Sequence, residues 1–569
     1  MKTTCLSLLA GAMALALAAP SSAVAQGGLG NPTVTPIAWT GQKLHPFTFV
    51  KFSNPSITNN GLVVFRVMVE RKGQQVVKGL PLERILRRGM AVPGIPNTVF
   101  LLFSDPVVTD ENDVTHHGMS GGTDRIAFIG VFGGTGVNSS NNMAIFSDRT
   151  GTWAPVARKG GAAWGGTPGQ NLGANWGRFL SVAADGNVVA FTALLAPGAG
   201  VDASNDLGFW MSDIVGGIPS NRLVFREGST VNVNGPRVVK NFQVLRANSL
   251  GRGQGFGLTQ ARALLRVTFV DRTQALLWVS ADGTITTLTQ TGITDVPGYQ
   301  AGSKMKTFGV PSFSRTGYPA FRSGLFNGTG SVNSANNEAI VSGHADTLQT
   351  LAIRSASAPG VAGAVFKKFG DPVMNEWGDV LFASRIVGGG ATRLTDSGLW
   401  LNTWGTSQLF FREGDAAPSI AGTTMRGFPS AAITVYYVPF EYYQEPGMTQ
   451  PLNGTDNGMM FYEGSPMVIV EGLLNRVGGV TTRNDNAVWA TNWYGEKVLL
   501  IREGVTQFTV AGRVRTVKSF KVINPVLLSP TQKHSYNNLG EIVAAVSFTD
   551  RTHAVIKFKM PAPEYGHVR

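Results

Sequence analysis

Short runs of alternating apolar and polar residues recur along the whole chain, separated by turns rich in glycine and asparagine. One recurring run ends in a small aliphatic stretch and a phenylalanine, as in residues 185–191 (DGNVVAF) and 457–461 (NGMMF). Alternation with a period of two is typical of a strand with one buried face, and the preceding glycine or asparagine suits the positive φ of a tight hairpin. Copies of this run begin at residues 60, 124, 185, 264, 317, 375, 457 and 538. The pattern therefore predicts an all-β repeat protein.

Two further phrases complete the repeating unit. A polar turn leads into an aromatic or aliphatic strand, as in residues 203–210 (ASNDLGFW), and another strand ends in Arg-Glu-Gly, as in residues 406–414 (TSQLFFREG). One unit thus has four strands, which we name A (rich in Phe), B (the VAF type), C and D (ending at the stop). The predicted stops are Gly41, Gly89, Gly160, Gly228, Gly292, Ala356, Gly414 and Gly504. Units of this length that cannot bury their faces alone are typical of β-propeller blades.

The two ends of the repeat array predict how the ring closes. The last unit supplies strands A, B and C but no strand D, whereas residues 35–41 (TPIAWTG) read as an isolated strand D before the first strand A. If this N-terminal strand completes the last blade, no sheet edge stays exposed. We predict a single eight-bladed β-propeller of four antiparallel strands per blade, spanning residues 34–560.

These phrases resemble a family of bacterial exported tandem-repeat proteins with the pattern N-x-x-G-x-x-A-F. The matching residues are 375–382 (NEWGDVLF), 183–191 (AADGNVVAF) and the phrase at 412–418 (REGDAAP). The resemblance implies export and a repeated fold, and it implies no defined activity. Members often carry a C-terminal sorting anchor, which we do not find in this sequence.

The N-terminal residues predict an exported chain. Residues 1–25 combine a lysine, an apolar run and small residues before Gln26, as a cleaved secretory signal peptide does. Residues 26–33 are then a linker and residues 561–569 a tail. The only cysteine, Cys5, lies in the predicted signal peptide. No later run is long and apolar enough for a membrane span. We expect a secreted or periplasmic monomer.

The charge balance suggests a class of partner. The chain has 48 Lys and Arg against 35 Asp and Glu, a net charge of +13. For an exported protein, an acidic polysaccharide or another envelope polyanion is a more natural partner than nucleic acid. The alternative is that the basic surface serves solubility alone. No motif for a metal or another cofactor is found, and we predict none.

The recurring arginines of the stops allow two interpretations. They could form a ring that grips a polyanion, or they could bond loop carbonyls of the next blade. We favour the structural role, because what recurs in every blade is expected to build the blade. The arginines are Arg88, Arg158, Arg226, Arg354, Arg412 and Arg502.

Features that occur once are better candidates for function. Blades 2, 4, 7 and 8 have insertions between strands A and B, and A–B connections share one end of a propeller. The candidate binding residues in them are His116, His117, Arg252, Tyr437, Tyr442, Tyr443, His534 and Tyr536. Tyrosine rings offer stacking area for a sugar or a protein. The insertions could instead merely cover the end of the propeller.

Two functions follow from these residues. The favoured one is a non-enzymatic binding module, with an acidic glycan as the predicted ligand. The alternative is a polysaccharide lyase, in which arginine neutralises a uronate carboxylate and Tyr or His removes the α proton.

Overall fold

The computed structural model describes residues 31–110, 124–198, 200–244, 246–247, 255–256, 258–259, 261–314, 317–343, 347–440, 461–523 and 535–561. Within these residues the regular elements are β-strands, apart from one 3-10 turn at Glu70–Lys72. The strands form eight antiparallel sheets in chain order, each of which is one blade, and a small two-stranded ribbon in blade 4. The predicted eight-bladed β-propeller is confirmed.

The strands of successive blades, from blade 1 to blade 8, occupy equivalent places. Strand A comprises Phe47–Phe52, Thr98–Phe103, Asn171–Asp185, Pro236–Gln243, Met305–Phe308, Ala364–Phe369, Met425–Phe440 and Arg513–Lys521. In blades 1, 2, 4, 5 and 6 strand A resumes after a break as Ser56–Ile57, Val107–Asp110, Leu258–Thr259, Ser312–Phe313 and Val373–Met374. Strand B comprises Val63–Val69, Asp124–Gly134, Val188–Leu195, Arg262–Phe269, Pro319–Leu325, Val380–Gly388, Phe461–Leu474 and Glu541–Phe548.

The outer strands follow the same order. Strand C comprises Gly73–Gly79, Met143–Ser147, Leu207–Val215, Gln274–Ser280, Glu338–Ser342, Ser397–Thr403, Asn486–Thr491 and His553–Lys559. Strand D comprises Glu83–Arg87, Ala154–Arg158, Ile218–Arg226, Ile285–Gln290, Gln349–Ile353, Thr406–Arg412, Lys497–Arg502 and, for blade 8, Thr33–Trp39. Short strands precede strand A at Lys43–Leu44, Ala162–Trp164, Thr230–Asn232 and Gln507–Val510, and the ribbon pairs Arg246–Ala247 with Gly255–Phe256.

The N-terminal strand closes the ring as predicted. Thr33–Trp39 pairs antiparallel with His553–Lys559, with Thr33 opposite Lys559 and Trp39 opposite Ala554. Ile37 and Ala38 of this strand are buried. The last blade is therefore built from both ends of the repeat array, and strand C of blade 8 has no bare edge.

Strand A is the innermost strand of each blade. Around the axis, the second half of each strand A contacts its counterpart or an adjoining inner strand in the next blade, as Ser56–Ile57 contacts Val107–Asp110 and Ser312–Phe313 contacts Val373–Met374. Short A–B turns follow these inner segments, and those of blades 6, 8 and 1 meet near the axis. We call this side of the propeller the A–B end and the opposite side, with the B–C and D–A connections, the D–A end.

The stops join each blade to the next. In blade 6 the Gly414 amide donates to the Met425 carbonyl over 2.8 Å, at the start of the next strand A. In blade 5 the same bond is made by Ser355, whose φ is 68°, to Phe366. The stop predicted at Ala356 is thus wrong by one residue, because a serine takes the left-handed conformation that glycine takes elsewhere.

Five of the six arginines, Arg158, Arg226, Arg354, Arg412 and Arg502, bond to the B–C loop of their own blade. Arg226 Nε donates to the Asn205 carbonyl over 2.7 Å, and Arg412 Nε donates to the Thr395 carbonyl over 3.0 Å. In both cases the carbonyl lies in the B–C loop of the same blade. The structural interpretation holds for these five arginines, but the accepting loop belongs to their own blade and not to the next one, and Arg88 is exposed.

The core lies between neighbouring blades. The phenylalanine of strand B stacks on a strand C tryptophan, with ring centroids 5.8 Å apart for Phe191 and Trp210 and 6.3 Å apart for Phe382 and Trp400. Trp400 Nε1 also donates to the Pro359 carbonyl over 3.0 Å, in the linker that arrives from the preceding blade. In the described part of the chain, no helix has the length and apolar character to cross a membrane.

Candidate binding site at the D–A end

A β-bulge occurs at the same place in strand A of all eight blades. One residue of strand A is skipped in the pairing with strand B, directly after the residue that bonds to the stop of the preceding blade. The skipped residues are Val50, Leu101, Gly177, Lys240, Lys306, Lys367, Arg426 and Lys518. A bulge bends its strand and re-aims the neighbouring side chains. The skipped residue and the residue after it lie between two buried or partly buried residues of strand A. We call these two consecutive residues the bulge pair.

The bulge pairs are rich in positive charge. They lie on the innermost strand near the D–A end, and most of their side chains are exposed. Seven of the eight blades have a lysine or arginine in the pair and none has an acidic residue. We call these residues the basic mouth: Lys51, Arg178, Lys240, Lys306, Lys367, Lys368, Arg426 and Lys518. Since equivalent positions of adjacent blades are neighbours around the axis, the charges form an arc.

Most charges of the basic mouth are not neutralised within the described chain. Arg426 binds Asp485 over 2.8 Å, and Lys306 Nζ lies 5.7 Å from the centre of the Phe326 ring. The other six make no side-chain hydrogen bond or ion pair to a described residue. Their side chains thus contribute a positive potential to the entrance of the axis.

The pKa of His553 responds to one charge of the basic mouth. Burial lowers the pKa of His553 below its usual value, and the charge of Lys51 lowers the pKa further. The Ser547 hydroxyl lies 2.9 Å from His553 Nδ1. His553 is therefore favoured in the neutral form and does not add to the positive charge.

Buried contacts at the A–B end join blades 6, 7, 8 and 1. Asn538 of blade 8 is fully buried, its Nδ2 donates to Glu376 Oε2 of blade 6 over 2.8 Å, and its Oδ1 accepts from the Thr434 hydroxyl of blade 7 over 2.7 Å. Its backbone amide donates to Asn59 Oδ1 of blade 1 over 3.1 Å. The inner segments Ser56–Ile57 and Val373–Met374 are buried as well. The basic mouth therefore lies at the opposite end of the propeller from these buried contacts.

Salt bridges also join neighbouring blades where strand A breaks. Arg66 of blade 1 reaches Asp105 of blade 2 over 2.8 Å, and Arg322 of blade 5 reaches Asp371 of blade 6 over 3.2 Å. Both aspartates are buried and lie where strand A breaks, between its two halves. These carboxylates are neutralised by neighbouring arginines and do not offset the lysines of the rim.

The candidate residues predicted from the sequence belong to the A–B connections of the chain and not to the basic mouth. All four insertions fall between strands A and B, as predicted, but His116, His117, Arg252, Tyr442, Tyr443 and His534 lie outside the described residues. Tyr437 lies in strand Met425–Phe440 opposite Gly464, and only its backbone is described.

Tyr536 is the one candidate whose side chain is described. It is 1% exposed, and its hydroxyl has no hydrogen-bond partner among the described residues. Burial raises the pKa of Tyr536 well above its usual value, with a further contribution from the Glu376 carboxylate. Tyr536 thus lies beneath the surface, beside the network of Asn538.

The basic mouth is not among the sequence predictions, although its signal is present. Phrases such as FVKF (residues 49–52), MKTF (305–308) and FKKF (366–369) repeat a polar pair between two apolar residues. Because these phrases recur, the sequence alone assigns them to blade construction. The buried positions do build the blade, but the pair between them is free to vary and carries the charge.

A known family model matches most of the chain. The model of a family of unknown function, DUF7453, matches residues 19–271 and, a second time, residues 257–561. The chain belongs to this family. The two matches meet in blade 4, so each covers about half of the propeller. No curated protein matches the chain.

Solved structures show weak similarity. A puromycin-hydrolysing peptidase of Mycobacterium tuberculosis is 10% identical with a TM-score of 0.26, covering 78% of this chain, which spans 63% of the peptidase. The α-L-arabinofuranosidase Arb93A of Fusarium graminearum is 12% identical with a TM-score of 0.26, covering 70% of this chain and 96% of that one. The Aleuria aurantia lectin is 10% identical with a TM-score of 0.22, covering 66% and 99%. Similarity at this level carries no argument about ligand or reaction.

Proposed function

We propose that this chain is an exported binding module that holds an acidic glycan at its basic mouth. The observation that carries the proposal is the set of bulge pairs, with a basic residue in seven blades, no acidic residue in any, and six charges without a described partner. Carboxylate or sulfate groups of a glycan would form charge-assisted hydrogen bonds with these side chains. Charge complementarity would also speed association at low salt.

The proposal is tested by retention on an immobilised uronate polysaccharide. The variant Lys367→Gln/Lys368→Gln removes two charges of the mouth in blade 6, and Arg87→Gln/Arg88→Gln removes two consecutive exposed charges at the outermost strand of blade 1. We expect the first variant to weaken binding about three- to tenfold and the second to change it little, because a rim charge acts locally at ~0.15 M salt. Equal effects of the two variants would show that only net charge matters, and would refute a defined site.

The A–B insertions remain a second proposed surface for a glycan. Tyr443→Phe and His534→Ala test it in the same retention assay. If neither variant alters retention while Lys367→Gln/Lys368→Gln does, binding belongs to the basic mouth alone. The lyase alternative is tested in parallel by the absorbance of the unsaturated product during incubation with the same polysaccharides.

Export is proposed from residues 1–25, which lie outside the described residues. Expression of the full chain in a secreting bacterial host should yield a mature protein that begins at Gln26, as N-terminal sequencing would show. Recovery of the intact N-terminus from inside the cell would contradict this part of the proposal.

A further inference from the structure

The rim formed by the eight bulge pairs is not basic in every blade. In blade 2 the bulge pair is Leu101 and Leu102, which are 37% and 50% exposed. The adjacent bulge residue in blade 1, Val50, is 43% exposed, and Val99 of blade 2 is 39% exposed. We call these four residues the apolar arc. The rim therefore has an apolar part, formed by blade 2 and by Val50 of blade 1, and a basic part, formed by Lys51 of blade 1 and the other six blades.

The construction of blade 2 keeps this apolar surface open. Leu101 Cδ1 lies 3.1 Å from the position that a Cβ of Gly133 would take, and Gly133 is paired with Val99 on the neighbouring strand A. Because residue 133 of strand B is a glycine, the Leu101 side chain packs directly against the backbone of strand B. The buried positions on either side, Phe100 and Phe103, already fill the space between blades. Leu101 and Leu102 are thus not needed for the core.

Two leucines exposed beside a set of lysines fit a ligand with two unlike parts. Exposed apolar side chains that lie together beside a binding site favour an apolar group of the ligand. The contacts of Asn538 lie at the opposite, A–B end, so we place the apolar part of the ligand on the rim itself. Lys51 in blade 1 and Arg178 in blade 3 flank the apolar arc on both sides.

We propose that the basic mouth and the apolar arc together bind an anionic amphiphile, with the charged head group on the lysines and an aliphatic chain against Val50, Leu101 and Leu102. This inference rests on the proposed function, because it uses the same rim, but it assigns the ligand to acylated rather than purely polar anionic compounds. Burial of methylene groups would add to the affinity supplied by charge.

The experiment compares alkyl phosphates of increasing chain length with inorganic phosphate by isothermal titration, at concentrations below micelle formation. In the wild-type protein we expect the affinity to rise by up to about fourfold per methylene, until the chain is longer than the apolar arc. Leu101→Ser/Leu102→Ser should abolish this dependence on chain length. Leu80→Ser/Leu394→Ser, which changes two leucines exposed elsewhere, should preserve it. Thermal unfolding followed by circular dichroism confirms that each variant is folded.

The two proposals fail differently. A flat chain-length series in the wild type, or one unchanged by Leu101→Ser/Leu102→Ser, overturns the amphiphile, whatever happens with the polysaccharide. Loss of binding in Lys367→Gln/Lys368→Gln for both the alkyl phosphates and the immobilised polysaccharide supports a shared basic site. Binding of alkyl phosphates without any retention on the polysaccharide refutes the acidic glycan of the proposed function and retains the amphiphile.

Discussion

Asn538 of blade 8 donates its side-chain amide to Glu376 of blade 6 over 2.8 Å, across a separation of 162 residues in the chain. Thr434 of blade 7 donates to the same asparagine over 2.7 Å, and the amide of Asn538 donates to Asn59 of blade 1. One buried side chain thus joins blades that are not all adjacent. It acts at the A–B end, where the A–B turns of blades 6, 8 and 1 meet.

Asn538→Ala should therefore destabilise the whole ring. The substitution removes the acceptor of the buried Thr434 hydroxyl and one donor to the half-buried Glu376 carboxylate, and leaving a buried group without its hydrogen bond costs about 1–3 kcal/mol. We expect a decrease of about 2–4 kcal/mol in the free energy of unfolding, measured with urea. Asn60→Ala, an exposed asparagine in the A–B turn of blade 1, is the control and should change it by less than about 0.5 kcal/mol. Equal effects would contradict a role specific to the axis.

Removal of the N-terminal strand should open the ring. A variant that lacks residues 26–41 loses the buried Ile37 and Ala38 and leaves His553–Lys559 with an unpaired edge. Bare strand edges pair with other chains, so we expect oligomers in size-exclusion chromatography with light scattering. A variant that lacks only residues 26–31 retains the strand and should elute like the full mature chain. A monomeric, equally stable product from the longer deletion would mean that the strand does not hold the ring closed.

The ring was predictable from the sequence because its signals are local. Residues 185–191 alternate with a period of two after a glycine turn, and residues 35–41 have the pattern of a strand D without a unit of their own. Counting complete units was sufficient to expect the closure by Thr33–Trp39. The stop in blade 5 was misplaced because Ser355 adopts a backbone conformation that its residue type does not announce.

The site was less predictable because it depends on pairing. The bulge at Lys367 is a property of two strands, since it exists only through the register between Phe366 and Ile386 on one side and Lys368 and Arg385 on the other. The sequence of strand A alone does not predict the bulge or the exposure of the pair of residues at it. In the same way, the contact of Asn538 with Glu376 follows from ring geometry, and no local pattern links the two residues.

Three glutamates of the stops should make stability depend on pH. Burial, with a smaller contribution from the charge of nearby aspartates, raises the pKa of Glu227, Glu413 and Glu503 to about 7 from a usual value near 4.5. Between about pH 4.5 and 7 the folded state therefore keeps protons that the unfolded state has released. Stability should fall as pH rises through this window, because charging the half-buried carboxylates disfavours the folded state.

The variant Glu227→Gln/Glu413→Gln/Glu503→Gln isolates this effect. Glutamine is neutral at every pH, so the thermal midpoint of the variant should decline less between pH 5 and 7.5 than that of the wild type. Glu70→Gln, an exposed glutamate in the B–C turn of blade 1, should leave the decline unchanged. A triple variant with the same slope as the wild type would show that other groups control the pH dependence.

The pair of Arg66 and Asp105 should contribute more to stability than a surface pair of the same length. Both this pair and Lys78–Glu83 have a nitrogen–oxygen distance of 2.8 Å, but the Asp105 side chain is 6% exposed and that of Glu83 is 61% exposed. Removing one partner of a buried pair leaves a charge that neither water nor a counter-ion compensates, which costs about 3–5 kcal/mol. An exposed pair contributes about 0–1 kcal/mol, because water solvates either partner alone.

A double-mutant cycle for each pair tests this difference. Arg66→Met should lower the free energy of unfolding by about 3 kcal/mol, and the combination with Asp105→Asn should recover part of the loss because the unpaired carboxylate is gone. The cycle of Lys78→Met and Glu83→Gln should give a coupling energy below about 1 kcal/mol. Arg66 and Asp105 belong to different blades. A large coupling energy would therefore show that an ion pair, as well as the apolar core, holds blades 1 and 2 together. Coupling energies of equal size would instead assign the contact between these blades to packing alone.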